Sequence, residues 1–207
     1  MKTKIESILL SAGKSSRMGT EKALLEIDGK KLISIILEKM LSFSKKVYII
    51  LGDNFENVQQ VVKNEKFPLD KIEFIFNEKH HLGMFSSILK GFSVTTGKHP
   101  VMLQMIDQPF VPLAIYKKLI DFLDEDHFIF QPSCEINSKK RAGHPILFSP
   151  YFKELILKNQ DRSNLREVIS LYNKKRKYIE VDDKVIFQNL NTFKDIKWGN
   201  KHGNTSI

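Results

Sequence analysis

The stretch Leu9–Lys30, LLSAGKSSRMGTEKALLEIDGK, decides the fold: an apolar run of strand length stops at a loop carrying Gly13, Lys14, Arg17, Gly19 and Lys22. Upstream the run begins at Ile5, so Ile5 to Ser11 reads as a first buried strand. Downstream, Leu32, Ile35, Ile36, Met40 and Leu41 recur with helical spacing. The same alternation continues along the chain. Lys46 to Leu51 (KVYIIL), Ile72 to Phe76 (IEFIF) and Val101 to Ile106 (VMLQMI) read as strands. Phe55 to Val62, Phe85 to Phe92 and Pro112 to Leu123 read as helices between and after them. Such β-α alternation through residue 130 predicts an α/β fold, a mostly parallel sheet with helices on both faces. In open sheets of that kind ligands bind beyond the carboxyl ends of the strands, so the loops that follow strands are the places to seek chemistry.

After residue 130 the pattern changes. Short strands at Phe128 to Gln131, Pro145 to Phe148, Tyr178 to Val181 and Val185 to Phe187 mix with helical segments at Tyr151 to Leu157 and Leu165 to Tyr172. They read as an insertion or lobe on the core, about 131–190, within one domain spanning 1–198; residues 199–207 read as a frayed tail.

The first loop tempts a P-loop reading through Gly13-Lys14-Ser15, but the glycine that motif needs five positions before Gly13 is replaced by Ile8, inside the strand. G-x-G-x-x-G fails as well. What remains is a loop of backbone N–H groups, hydroxyls from Ser11, Ser15 and Ser16, and cations at Arg17 and Lys22, which suits a triphosphate or is an ordinary cationic connection. A second candidate is Asp107. It ends the apolar run VMLQMI and is followed two residues on by Pro109, which places one carboxylate where the sheet's ligands bind. Magnesium needs only one or two carboxylates beside phosphate and water oxygens; the other reading is a strand-terminating turn. His80-His81 makes a poor metal pair, since neighbouring residues point in different directions and no third ligand is near in sequence.

Composition narrows the partners. The chain has 207 residues, 42% hydrophobic and 28% charged, with 33 Lys and Arg against 24 Asp and Glu for a net charge of +9. The lysines are scattered in pairs without a basic block or aromatic ladder, so the charge reads as a solvated surface rather than a nucleic-acid interface. No apolar stretch approaches the length of a bilayer span and the N-terminus lacks the apolar core of a secretory signal, so a cytoplasmic protein without membrane attachment is expected. The single cysteine, Cys134, excludes an intrachain disulfide and reads as an inert thiol.

Four ordered motifs then resemble the MobA-like nucleotidyltransferases. Leu10-Ser11-Ala12-Gly13 with Ser16-Arg17-Met18-Gly19, Lys22, Leu24-Leu25 and Gly29-Lys30 is similar to that family's L-A-A-G-x-S-x-R-M-G-x-x-K-x-L-L signature. Asn77 with Gly83-Met84 and Ser87 resembles its N-x-x-x-x-x-G-M-x-x-S loop, Asp107-Gln108-Pro109 its D-Q-P, and Gly143-His144-Pro145 with Leu147-Phe148 its G-H-P-x-L-F. The second and third motifs look like the molybdenum cofactor cytidylyltransferase branch.

The resemblance implies a Rossmann-like, three-layer α/β/α fold and transfer of a nucleoside monophosphate from an NTP, CTP favoured, to a phosphorylated acceptor, with pyrophosphate leaving. The implied acceptor is molybdopterin, the implied cofactor Mg2+, and a molybdoenzyme or its chaperone a further partner. Carried over residue by residue, Leu10 to Gly13 frame base and ribose, and Arg17 and Lys22 neutralise the triphosphate. Asn77, Gly83, Met84 and Ser87 contact the nucleotide, Asp107 holds the metal, and His144 faces the acceptor. Near the C-terminus the family's D-I-D-T-P-E-D is replaced by Asn189-Leu190-Asn191-Thr192-Phe193-Lys194-Asp195, which removes two charges and leaves the Asn191 amide oxygen as the second metal donor. N-x-N-T also occurs in the guanylyl branch. Asp161 to Arg166 keeps an Asp and an Arg of a G-D-x-G-A-R-like stretch and lacks both glycines. Other expectations consistent with these residues are a sugar or alditol phosphate as acceptor, or a catalytically weak nucleotide-binding accessory protein.

Overall fold

The computed structural model describes residues 3–13, 21–191 and 195. The first strand, β1 (Ile5–Leu10), is buried at all six positions, which is why it reads as an unbroken apolar run interrupted only by Glu6 and Ser7. A two-stranded ribbon, β2 (Glu26–Ile27) and β3 (Lys30–Lys31), leads into α1 (Leu32–Leu41). Then come β4 (Ser44–Leu51), α2 (Phe55–Asn64), β5 (Ile72–Phe76), α3 (Met84–Val94), β6 (Val101–Met105) and α4 (Leu113–Asp121). The chain continues through β7 (Ile129–Ile136), β8 (Lys139–Ala142), β9 (Ile146–Phe148), α5 (Phe152–Lys158), α6 (Leu165–Leu171) and β10 (Arg176–Glu180).

The main sheet runs β10-β7-β9-β6-β1-β4-β5, with β8 paired to β7. β1 is parallel to β4 and β6, β4 to β5, and β7 to β10; β9 is antiparallel to both β6 and β7. The expected lobe after residue 130 therefore supplies strands to the same sheet. Alternation along the strands divides the core between two faces. Val47, Ile49 and Leu51 of β4 pack with Ile33, Ile36, Leu37 and Val58 from α1 and α2, whereas Tyr48 and Ile50 pack with Ile88 and Phe92 of α3 and Phe152 of α5. Beyond β6, Ile115, Tyr116 and Leu119 of α4 cover Met102, Phe130 and Leu147 on the first of those faces. Helices thus cover both faces, giving three layers.

One local reading is corrected and one strand is new. Val185 to Phe187 is not a strand: the Asp183 carboxylate accepts from the Val185 N–H at 2.9 Å and Lys184–Phe187 closes a 3-10 turn. β8 was not foreseen, because its KKRA sequence is polar; the turn into it carries Asn137 and Ser138 at positive φ, and the hairpin rather than hydrophobicity makes the strand. Among the described residues no helix is long and apolar enough to cross a membrane.

Candidate functional site

β1 and β6 are neighbours, yet the chain leaves β1 toward β4 and β5 and leaves β6 in the opposite direction. That reversal opens a crevice at their carboxyl ends, where Leu10 and Met105 stand in register. The Ile106 N–H donates to the Leu10 carbonyl at 3.0 Å and Ser11 N–H to Ile50 O at 2.9 Å, so the first loop and the Asp107 loop start side by side. A cavity of 360 Å³ lies above them.

Nine of the sequence-derived residues line this cavity: Leu10, Ser11, Ala12, Gly13, Lys22, Gly83, Met84, Ser87 and Asp107. Gly83 enters α3 with φ of +100°, a backbone that favours glycine, and lets Met84 and Ser87 of the first helical turn border the cavity. Asn77 stands behind that wall. It is buried, and its Nδ2 donates to Ser86 Oγ and Ser87 Oγ, both at 3.0 Å, while Oδ1 accepts from the Lys79 N–H at 3.1 Å. It orders the loop instead of lining the cavity. Arg17 lies outside the described residues.

Asp107 and Lys22 face each other electrostatically. Burial pushes the Asp107 carboxyl up from its ordinary range, and the Lys22 ammonium pulls it back down. Asp107 Oδ1 is buried and has no hydrogen-bond partner among the described residues. Lys22 Nζ also donates to Asn191 Oδ1 at 3.2 Å. The segment bearing Asn191 is docked on the same loop, for Leu190 N–H donates to Asp107 O at 2.7 Å and Gln108 Nε2 to Asn189 Oδ1 at 2.8 Å. Asn191 N–H in turn donates to Asp195 at 2.8 Å. Residues 22, 107 and 191, remote in sequence, therefore meet. Among the described residues no three His, Cys, Asp or Glu side chains gather to hold a metal ion, so Asp107 is the one carboxylate of the cavity wall.

His144 does not line the cavity. Antiparallel pairing of Leu103 with Ile146 carries it to the level of Met105, at the same end of the sheet but beyond β6. Its N–H donates to Ile186 O at 3.0 Å, and burial pushes its imidazole down to about 4. The neighbouring Gly143 is packed so closely that a Cβ there would sit 2.3 Å from Ile186 O.

Asn54, His80 and His81 also line the cavity, where the sequence did not point to them. Asn54 ties two loops together, donating to Ser11 O at 2.9 Å and accepting from the Gly52 N–H at 3.2 Å. The His80 ring packs on Gly52, where a Cβ would be 2.8 Å from its Cγ, and its Nε2 lies 3.1 Å from Asp53 Oδ1. Their signal was position alone: each follows a parallel strand at its carboxyl end.

The sequence and the fold have known counterparts. Molybdenum cofactor guanylyltransferase from Campylobacter jejuni is 26% identical over 197 residues, covering 92% of this chain and 93% of that one. Among solved structures, 4-diphosphocytidyl-2C-methyl-D-erythritol synthase from Anaerococcus prevotii superposes with a TM-score of 0.78 at 12% identity, over 97% of this chain and 96% of that one. A nucleotidyl transferase from Methanothermobacter thermautotroptrophicus superposes with a TM-score of 0.77 at 16% identity, over 97% of each chain. Residues 7–177 match the MobA-like NTP transferase domain. With that match over most of its length, the chain belongs to the MobA-like NTP transferase family and is a nucleotidyltransferase.

Proposed function

We propose that this nucleotidyltransferase uses CTP and Mg2+ to transfer CMP to the phosphate of molybdenum cofactor in its molybdopterin form. The observation that carries the reading is the Asp107 carboxylate at the crevice beside Lys22, its Oδ1 without a hydrogen-bond partner among the described residues. A buried carboxylate oxygen that no described group donates to costs stability, and a cation would satisfy it. Asp107, with the amide oxygen of Asn191, suits Mg2+, a hard ion that accepts few protein oxygens and keeps places for phosphate and water. Bound there, Mg2+ supplies charge neutralisation of the phosphate oxygens.

The chain's own groups do the rest. The Leu10 to Gly13 loop, Gly83, Met84 and Ser87 hold base and ribose, and Arg17 and Lys22 bind the triphosphate. An oxygen of the acceptor phosphate attacks the α-phosphorus, the bond from that phosphorus to the oxygen bridging the β-phosphorus breaks, and pyrophosphate departs with that oxygen. Lys22 neutralises charge that grows on the departing oxygens. His144, neutral above about pH 4 and on the far side of β6, faces the acceptor.

A second reading, GTP as donor, is favoured by the name of the Campylobacter jejuni relative and by the Asn189-Leu190-Asn191 segment. The test is incubation with Mg2+, molybdenum cofactor and each NTP in turn, following pyrophosphate. Release with CTP supports the first reading and release with GTP alone supports the second; no release with any NTP overturns molybdenum cofactor as acceptor. Retained triphosphate affinity in the Arg17→Ala, Lys22→Ala variant would remove the first loop from the phosphate site.

A further inference from the structure

The loop that carries Asp107 runs along α1. Ile106 and Phe110 pack with Leu32 and Ile35, near the helix start. Farther along, the Lys39 ammonium donates to the carbonyls of Pro109 at 2.7 Å and Val111 at 2.9 Å. Both of those residues are buried. Pro109 and Pro112 bring no N–H groups, so the loop is short of internal donors and its carbonyls must be met from outside. They are met from three directions. Leu190 N–H reaches Asp107 O, Gln104 Nε2 reaches Gln108 O at 3.2 Å, and Lys39 takes those of Pro109 and Val111.

Of these donors only Lys39 is charged; the neighbouring Glu38 pairs with Lys30 at 2.8 Å and only partly offsets the cost of burying the Lys39 ammonium. Desolvation pulls the Lys39 ammonium down to about 8, so the fold pays to keep a cation where two neutral donors would satisfy the same carbonyls. A charge-assisted pair of bonds holds the loop more rigidly than neutral ones. The same helix begins where Leu32 N–H donates to Leu25 O at 2.9 Å, one residue past the 3-10 turn Lys22–Leu24. α1 thus reaches the Lys22 turn at one end and the Asp107 loop at the other.

We infer that Lys39 is a positioning residue of the transfer reaction: through the Pro109 and Val111 carbonyls it clamps the Asp107 loop to α1 and sets the carboxylate's place relative to Lys22. The inference rests on the metal-holding role proposed for Asp107. It gives a half-buried lysine outside the cavity a function in metal and triphosphate binding.

The test is titration of Mn2+ into the full chain, alone and with CTP or GTP present, for wild type, Lys39→Met, Lys39→Arg and Asp107→Ala. Hydrogen exchange is followed in parallel over residues 106–112. Lys39→Met weakens Mn2+ binding in the nucleotide complex about tenfold, as loss of an outer support of a metal ligand does, and speeds exchange in that segment. Lys39→Arg, which keeps a charged double donor, restores both. Should Lys39→Met fail to fold, Lys39→Gln, a neutral donor able to reach one carbonyl, takes its place in the comparison. Folded Lys39→Met, or its substitute, binding Mn2+ as wild type does overturns the clamp. If Asp107→Ala also binds Mn2+ unchanged, the metal reading itself has failed and the clamp falls with it; loss in Asp107→Ala without loss at Lys39 discards the clamp alone.

Discussion

Burial raises the Asp107 carboxyl and Lys22 lowers it, so the ionised form is one the fold tolerates rather than favours. Groups kept at a cost to stability are where function resides. Asp107→Asn keeps the shape and removes the charge: kcat should fall by about 100-fold or more, as when a transition-state charge partner is lost. Stability at pH 7 should stay level or rise, measured as Tm. His144 makes a different residue-scale prediction. Its pKa falls from 6.5 to about 4 on folding, so the unfolded chain binds more protons between those values. Its contribution to stability is complete above about pH 6.5 and is lost as pH falls toward 4, at most on the order of 2–3 kcal/mol given its partial burial. Urea unfolding at pH 7 and pH 4.5 should show that slope in wild type and a shallower one in His144→Asn.

At the scale of elements, the close approach of α3 to β1 rests on Gly91, where a Cβ would stand 2.7 Å from Ile8 Cγ2 and 3.1 Å from its Cδ1. In an isolated helix Gly→Ala would gain about 1 kcal/mol. Here the clash outweighs it, and Gly91→Ala should destabilise the protein by about 1–3 kcal/mol in urea titration. Because Met84 and Ser87 at the start of α3 border the cavity, the same variant should also raise KM for the NTP. Elements differed in how plainly they showed in the sequence. β1, β4 and β6 stood out because strands buried on two faces read as apolar runs bounded by turn residues, and β5, an edge strand with only Ile72 buried, showed through its Ile and Phe residues. β8 was invisible because pairing with β7, not burial, holds Lys139 to Ala142. Val185 to Phe187 misled because three apolar residues in a row do not distinguish a strand from a turn.

Over the whole molecule, a net charge of +9 surrounds a crevice whose ligand is polyanionic on the reading proposed above. Long-range attraction raises the rate of encounter and is screened by salt. The KM for NTP should therefore rise severalfold between about 50 and 300 mM KCl, a range over which the screening length shortens from roughly 14 to 6 Å, with kcat nearly constant. Steady-state kinetics at the two ionic strengths checks it.

The α/β class and the candidate status of Lys22 and Asp107 were set by the sequence alone, because alternating apolar periods and strand-end loops are local properties of the chain. Asn54 and His80 were not legible: their part in the cavity wall depends on β4 lying beside β1 and β5 beside β4, a relation between distant segments. Tertiary structure alone moved Asn77 behind the wall and His144 beyond β6. It also brought Asn191 onto Lys22 and bound the Asp107 loop to Lys39. Periodicity records which face of an element is buried; only packing decides which buried or half-buried polar groups meet, since a hydrogen bond requires atoms about 3 Å apart and carries no signature in sequence distance.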